Sequence, residues 1–196
     1  MAYSAEFYGV DRHFDESIPR IDINQFADKH RLSEKVAIHK DDHLFLVLNV
    51  YSEVDKDGCL CEQCFKKILI GEQKIAILHG RHVHLFDIET HCVNSVFLND
   101  YVGDLYPVPD VYSETLSDDF LVTSFTYTFL VNIHTGIVWQ SGDCAIDGVN
   151  IYGIKEGVIY GSGDWDPPFP EGWRDFTLSL NDGSFIDSSP CYACIS

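Results

Sequence analysis

The chain has 196 residues, of which 45% are hydrophobic and 22% charged. That content excludes a disordered tail, and a chain of this length buries roughly 70% of its unfolded surface, so it needs no disulfide or metal to fold. Its 13 Lys+Arg against 31 Asp+Glu give a net charge of −18. This excludes nucleic acid and anionic membrane as direct partners, since both need cations against phosphate, and favours a basic partner.

The N-terminus, MAYSAEFYGVDRHFDE, has neither the basic lead nor the apolar core of a secretory signal. The longest apolar run, Leu44 to Leu48, is far short of the roughly 20 residues that span a bilayer. A cytoplasmic location is therefore expected. Residues 1–21 read as irregular, with Tyr3, Phe7, Tyr8 and Phe14 among charges. Asp22 can cap a helix, Gln25 stands three positions later, and Ile23, Phe26, Ala27 and His30 share one helical face. The pattern predicts a short helix over 22–33, within an N-terminal extension (1–35) packed on the main domain.

From Val36 the chain reads as an all-β domain to residue 196. VAIH, HLFLVLNVY, KIAIL, HVHLFDI, FLVTSF, TFLVNI, IVWQ, VNIYGI, VIYGS, DFTLSL and SFID are rich in Val, Ile, Phe, Tyr and Thr, and Asp, Asn and Gly punctuate them. Turns are expected at Asp41-Asp42 and at His79-Gly80-Arg81. Three segments share one plan: HLFDIETHCVNSVFL (84–98), FLVNIHTGIVWQSGD (129–143) and FTLSLNDGSFIDSSP (176–190). Each is a hydrophobic alternation, a tight turn and a second short strand. Aligning Ile88, Ile133 and Leu180 gives spacings of 45 and 47 residues. Residues 36–53 form a less regular fourth unit. This strand–turn–strand plan resembles the blades of quinoprotein-type and WD-type propellers. The resemblance implies antiparallel β-meanders in a small or incomplete propeller.

Charge is unevenly placed. Residues 1–81 carry a net −3, whereas residues 82–196 hold only Lys155 and Arg174 against 17 acids, a net −15. A single-signed surface accelerates encounter with an oppositely charged protein. Two stretches combine acids with aromatic rings, the usual anchors of interfaces. The first holds Asp100, Tyr101, Asp104, Tyr106, Asp110, Tyr112, Glu114, Asp118 and Asp119. The second is the proline-rich segment carrying Asp164, Trp165, Asp166, Glu171 and Trp173, with Phe169 and Asp175 beside them. These are the candidate partner-binding residues.

Chemistry is less marked. Cys61/Cys64 and Cys191/Cys194 form two CxxC pairs of the zinc-knuckle type, but 126 residues separate Cys64 from Cys191. They join at one metal only if the chain ends meet, and reduced thiols are the expectation. His82 and His84 share one face of a strand, with His79 and His91 near in sequence. They are either a metal pair or, with Val83 and Leu85 inward, solvent-facing rings. Asp164 and Asp166 resemble a carboxylate pair of a hydrolase. The chain has no nucleophile elbow, phosphate loop or H-E-x-x-H motif, so no catalytic residue, metal or cofactor is expected.

In length, acidity, lack of a signal and lack of a catalytic site, the sequence resembles the bacterial immunity proteins of contact-dependent growth inhibition and related polymorphic toxin systems. The resemblance implies a 1:1 complex with a basic toxin domain, a nuclease by preference, whose active site an acidic surface covers. A propeller-type scaffold and a metal-dependent hydrolase are the other readings.

Overall fold

The computed structural model describes residues 2–26, 30–60, 65–166 and 172–186. These residues fold as β-structure, and the chain divides into two compact units. One comprises Met1–Asn99 with Glu114–Leu116, the other Asp100–Ser113 with Ser117–Ser196.

The first unit contains two four-stranded sheets. One is built from β1 (Tyr3–Tyr8), β2 (Arg20–Ile23), β3 (His30–Lys40) and β4 (His43–Glu53). Its order is β1-β3-β4-β2, antiparallel except that β2 runs parallel to β4. The second is a meander of β5 (Lys66–Ile70), β6 (Lys74–His79), β7 (His82–Asp87) and β8 (Val93–Phe97), in chain order. Ile38, Leu46, Leu48 and Val50 of the first sheet share one apolar core with Ile75, Ile77 and Phe86 of the second. Such a fully buried aliphatic or phenyl side chain stabilises by about 1.5–3 kcal/mol. The central strands β6 and β7 are buried on both faces, which is why β6 reads as a continuous apolar run, while β7 carries His82 and His84 into the interior.

The second unit repeats the plan. β9 (Val102–Pro107), β10 (Asp119–Ser124), β11 (Thr128–Asn132) and β12 (Gly136–Gln140) form one antiparallel meander. β13 (Val149–Lys155), β14 (Val158–Asp164) and β15 (Trp173–Ser179) form another. Leu121, Leu130 and Trp139 pack with Ile151, Ile159, Phe176 and Leu178 between the two sheets. The three sequence repeats fall on β7–β8, on β11–β12 and on β15 with the bridge Leu178–Phe185. Two-residue hairpins close at Asp41-Asp42 (φ 47° and 65°) and at Glu156-Gly157 (φ 53° and 79°). Left-handed conformations at both central residues match the twist of the flanking strands.

The expected N-terminal helix does not form. Arg20–Ile23 is strand β2 and His30–Lys40 is strand β3, while residues 27–29 lie outside the described residues. Ile23 is 1% exposed in the first core, and Asn24 Oδ1 accepts the Phe26 N–H in a local turn. One apolar helical turn with Ile, Asp and Asn in it is a marginal helix. The edge of β4 offers the same residues a ladder and a core instead. Nor is the segment before it all irregular: Tyr3, Ala5 and Phe7 alternate on β1 and pack against that core.

Candidate functional site

The strongest surface of the second unit is the outer face of β13–β15. Alternation fixes it: Ile151, Ile159, Phe176 and Leu178 point inward, so Asn150, Tyr160, Ser162, Trp173 and Asp175 stand on the other face. Asn150, Ser162 and Asp175 are cross-strand partners in one row, and Asp164 pairs with Trp173 in the next. Tyr152 joins this face by the same alternation, just ahead of a bulge between Ile151 and Gly153, and stands near enough to Asp175 for that carboxylate to act on its phenol. Burial first, then the Asp175 carboxylate, raise the Tyr152 pKa. From the β9–β10 loop Tyr112 reaches in, its hydroxyl donating to the Tyr152 carbonyl oxygen at 2.9 Å. The rings of Tyr112, Trp173 and Tyr152 remain 76%, 45% and 41% exposed. Three large aromatic side chains thus stand partly in water beside the carboxylates of Asp164 and Asp175.

The sequence-predicted residues are only partly gathered there. Asp164 ends β14. Asp166 follows, its N–H donating to Asp164 Oδ1 at 3.2 Å, and the half-buried Trp165 donates its N–H to the Gly172 carbonyl at 3.0 Å. Gly172 is packed so closely against Asp164 and Asp166 that a Cβ would lie 2.7 Å from both. Glu171 and Phe169 lie outside the described residues. Asp110 accepts the Tyr112 N–H at 3.0 Å and so holds the loop that presents Tyr112.

Others have separate duties. Tyr106 is interior, 6% exposed. Its hydroxyl donates to Asn150 Oδ1 at 3.2 Å and accepts the Ile151 N–H at 3.3 Å, and burial pushes its pKa up to about 12. Asp104 accepts the Leu105 N–H at 2.7 Å. Asp100 accepts the backbone N–H groups of Tyr101 and Thr126, and Tyr101 packs its ring on Phe125. Asp118 faces His134 at 3.8 Å, and Asp119 accepts from Asn132 at 2.7 Å. Glu114 belongs to the first unit. Tyr152 and Asn150 were not singled out in the sequence. The alternation of VNIYGI, with Val149 and Ile151 inward, is the signal that finds them.

The histidines of β6 and β7 are interior, which corrects the solvent-facing alternative. His79, His82 and His84 are 3%, 9% and 0% exposed, because both faces of β7 are covered. His82 and His84 stack with ring centroids 5.7 Å apart. His79 lies 3.4 Å from the hydroxyls of Ser33 and Ser52, and His84 Nδ1 pairs with Ser95 at 2.8 Å. His84 Nε2 is buried with no partner. Burial lowers the pKa of His79 and His82 to about 4, and that of His84 well below its usual range. His91 stacks on Phe86. Among the described residues no three His, Cys, Asp or Glu side chains gather as a metal site. Cys61, Cys64, Cys191 and Cys194 lie outside the described residues. Cys59, Cys92 and Cys144 are free thiols. Among the described residues no helix is long and apolar enough to cross a membrane.

No protein family matches the sequence, and no curated protein matches it.

Proposed function

We propose that the chain is an immunity protein of a bacterial toxin system. It acts in the cytoplasm by binding a cognate basic toxin domain, a nuclease by preference, as a 1:1 complex, and it works by occlusion rather than by chemistry. The observation that carries this reading is the outer face of β13–β15. Tyr112, Tyr152 and Trp173 are exposed there beside Asp175 and Asp164, in a unit with 2 Lys+Arg against 14 Asp+Glu. Carboxylates of one sign steer a basic partner and stand where a nuclease groove receives phosphates. Rigid aromatic rings supply the buried anchors that give an interface its lifetime.

The three antiparallel meanders and the 45- and 47-residue spacings support a small propeller-type arrangement, as an interaction scaffold would also use. The test is co-production with candidate basic toxin domains encoded in the same genome. Protection of the producing cell, lost when Trp173 and Tyr112 are replaced by Ala, supports immunity. Absence of both binding and protection returns the protein to the scaffold reading.

A further inference from the structure

Asp175 is an outer-face carboxylate with aromatic residues on two sides. Trp173 stands two residues before it on β15, so the two side chains share a face roughly 7 Å apart. Tyr152 flanks it from β13, on the same face of the sheet by alternation. Both rings keep more than two fifths of their surface in water. Tyr112, tied to the Tyr152 backbone, adds a third exposed ring on the β13 side. Asp175 is itself exposed. The nearest cation in sequence, Arg174, alternates to the opposite face with Phe176.

We propose that this face grips an arginine side chain of the partner, its guanidinium paired with the Asp175 carboxylate and lying against the Tyr152 and Trp173 rings. The inference rests on the reading that the partner is a basic protein, and it names the side chain that protein inserts. Guanidinium is favoured over ammonium on two grounds. It is planar and weakly hydrated, so it stacks on aromatic faces that a lysine head group leaves for water. It also presents parallel N–H groups to a carboxylate, giving a charge-assisted pair. A lysine-rich partner would use the acidic field equally well but would gain little from the rings.

The experiment is NMR titration of the whole chain with nona-arginine and with nona-lysine, following the Trp173 indole N–H, assigned with a Trp173→Phe variant. Nona-arginine should shift that signal to saturation and bind at least about threefold more tightly than nona-lysine. Asp175→Asn, isosteric at an exposed position, should weaken nona-arginine about tenfold, while Asp143→Asn, an equal loss of charge elsewhere on the unit, should not. Equal affinities for the two peptides, or equal effects of the two variants, overturn the clamp. The toxin reading fails separately. A toxin domain that binds wild type and Asp175→Asn alike removes the clamp and leaves immunity standing. Selective nona-arginine binding without any basic toxin partner does the reverse.

Discussion

The hydroxyl of Tyr112 donates to the backbone carbonyl of Tyr152 at 2.9 Å, yet the Tyr112 ring is 76% exposed. A ring held at its tip and bare on its faces is positioned without being buried. Ordering a tyrosine in water offers little stability in return, so the arrangement makes sense if the ring is to be covered by something else.

Tyr112→Phe removes that tether. In thermal unfolding it should cost about 1 kcal/mol or less, because the bond is solvent-exposed. The larger effect is expected on partner binding, where a freed ring must be re-ordered. A loss of several kcal/mol of stability would mean that Tyr112 belongs to the core.

Stability should fall on mild acidification. His79, His82 and His84 are held neutral by burial, with folded pKa values of about 4 for the first two. In the unfolded chain they titrate near 6.5. Above pH 6.5 their contribution is complete. Below it the unfolded state takes up protons that the native state refuses, and stability drains until the folded pKa is reached. Between pH 7.5 and 5 the loss should be on the order of 2–5 kcal/mol for the cluster. The net −18 charge acts in the opposite sense, since acidification relieves repulsion. Urea midpoints that rise toward pH 5 would show that repulsion dominates. His82→Gln with His84→Gln should flatten the pH slope.

Two glycines of the last sheet test its packing. A Cβ on Gly163 would sit 1.9 Å from the Cys144 carbonyl oxygen, whereas one on Gly153 meets nothing within 4 Å. Gly163→Ala should therefore cost about 3 kcal/mol or prevent folding. Gly153→Ala should change the melting temperature little. Equal effects of the two would mean that β14 does not pack on the 144–145 segment as described.

Most strands from Val36 onward are legible because β-branched and aromatic residues alternate between tight turns, and the repeat marks the outer hairpins of successive sheets; Lys66–Ile70, which opens on two lysines, and Val102–Pro107, with Gly, Asp and Pro in it, lack that signal. The N-terminal helix was misread. Ile23, Phe26 and His30 fit a helical face by spacing, but the unpaired edge of β4, which sequence does not display, claims Arg20–Ile23 as a parallel strand. The histidines were placed on the right strand, yet their burial depends on a second sheet covering that face, a non-local fact. At the candidate interface, composition picked out Tyr112, Trp173 and Asp164. It also picked out Tyr106, whose ring is interior because Val102–Pro107 is itself a strand. Tyr152 lies outside both acid-rich stretches, and only the alternation of VNIYGI marks it as outward-facing.

The central claim is that an acidic, aromatic face of the second unit holds a basic protein. Binding kinetics of a basic toxin domain from the same genome on the immobilised chain, at about 0.05 M and about 0.5 M salt, test it most directly. The account predicts tight 1:1 binding that weakens with salt through its association rate. It also predicts that Trp173→Ala, with Tyr112→Ala, raises the dissociation rate at both salt concentrations. Binding that is indifferent to salt and to both substitutions, or no binding at all, would contradict it.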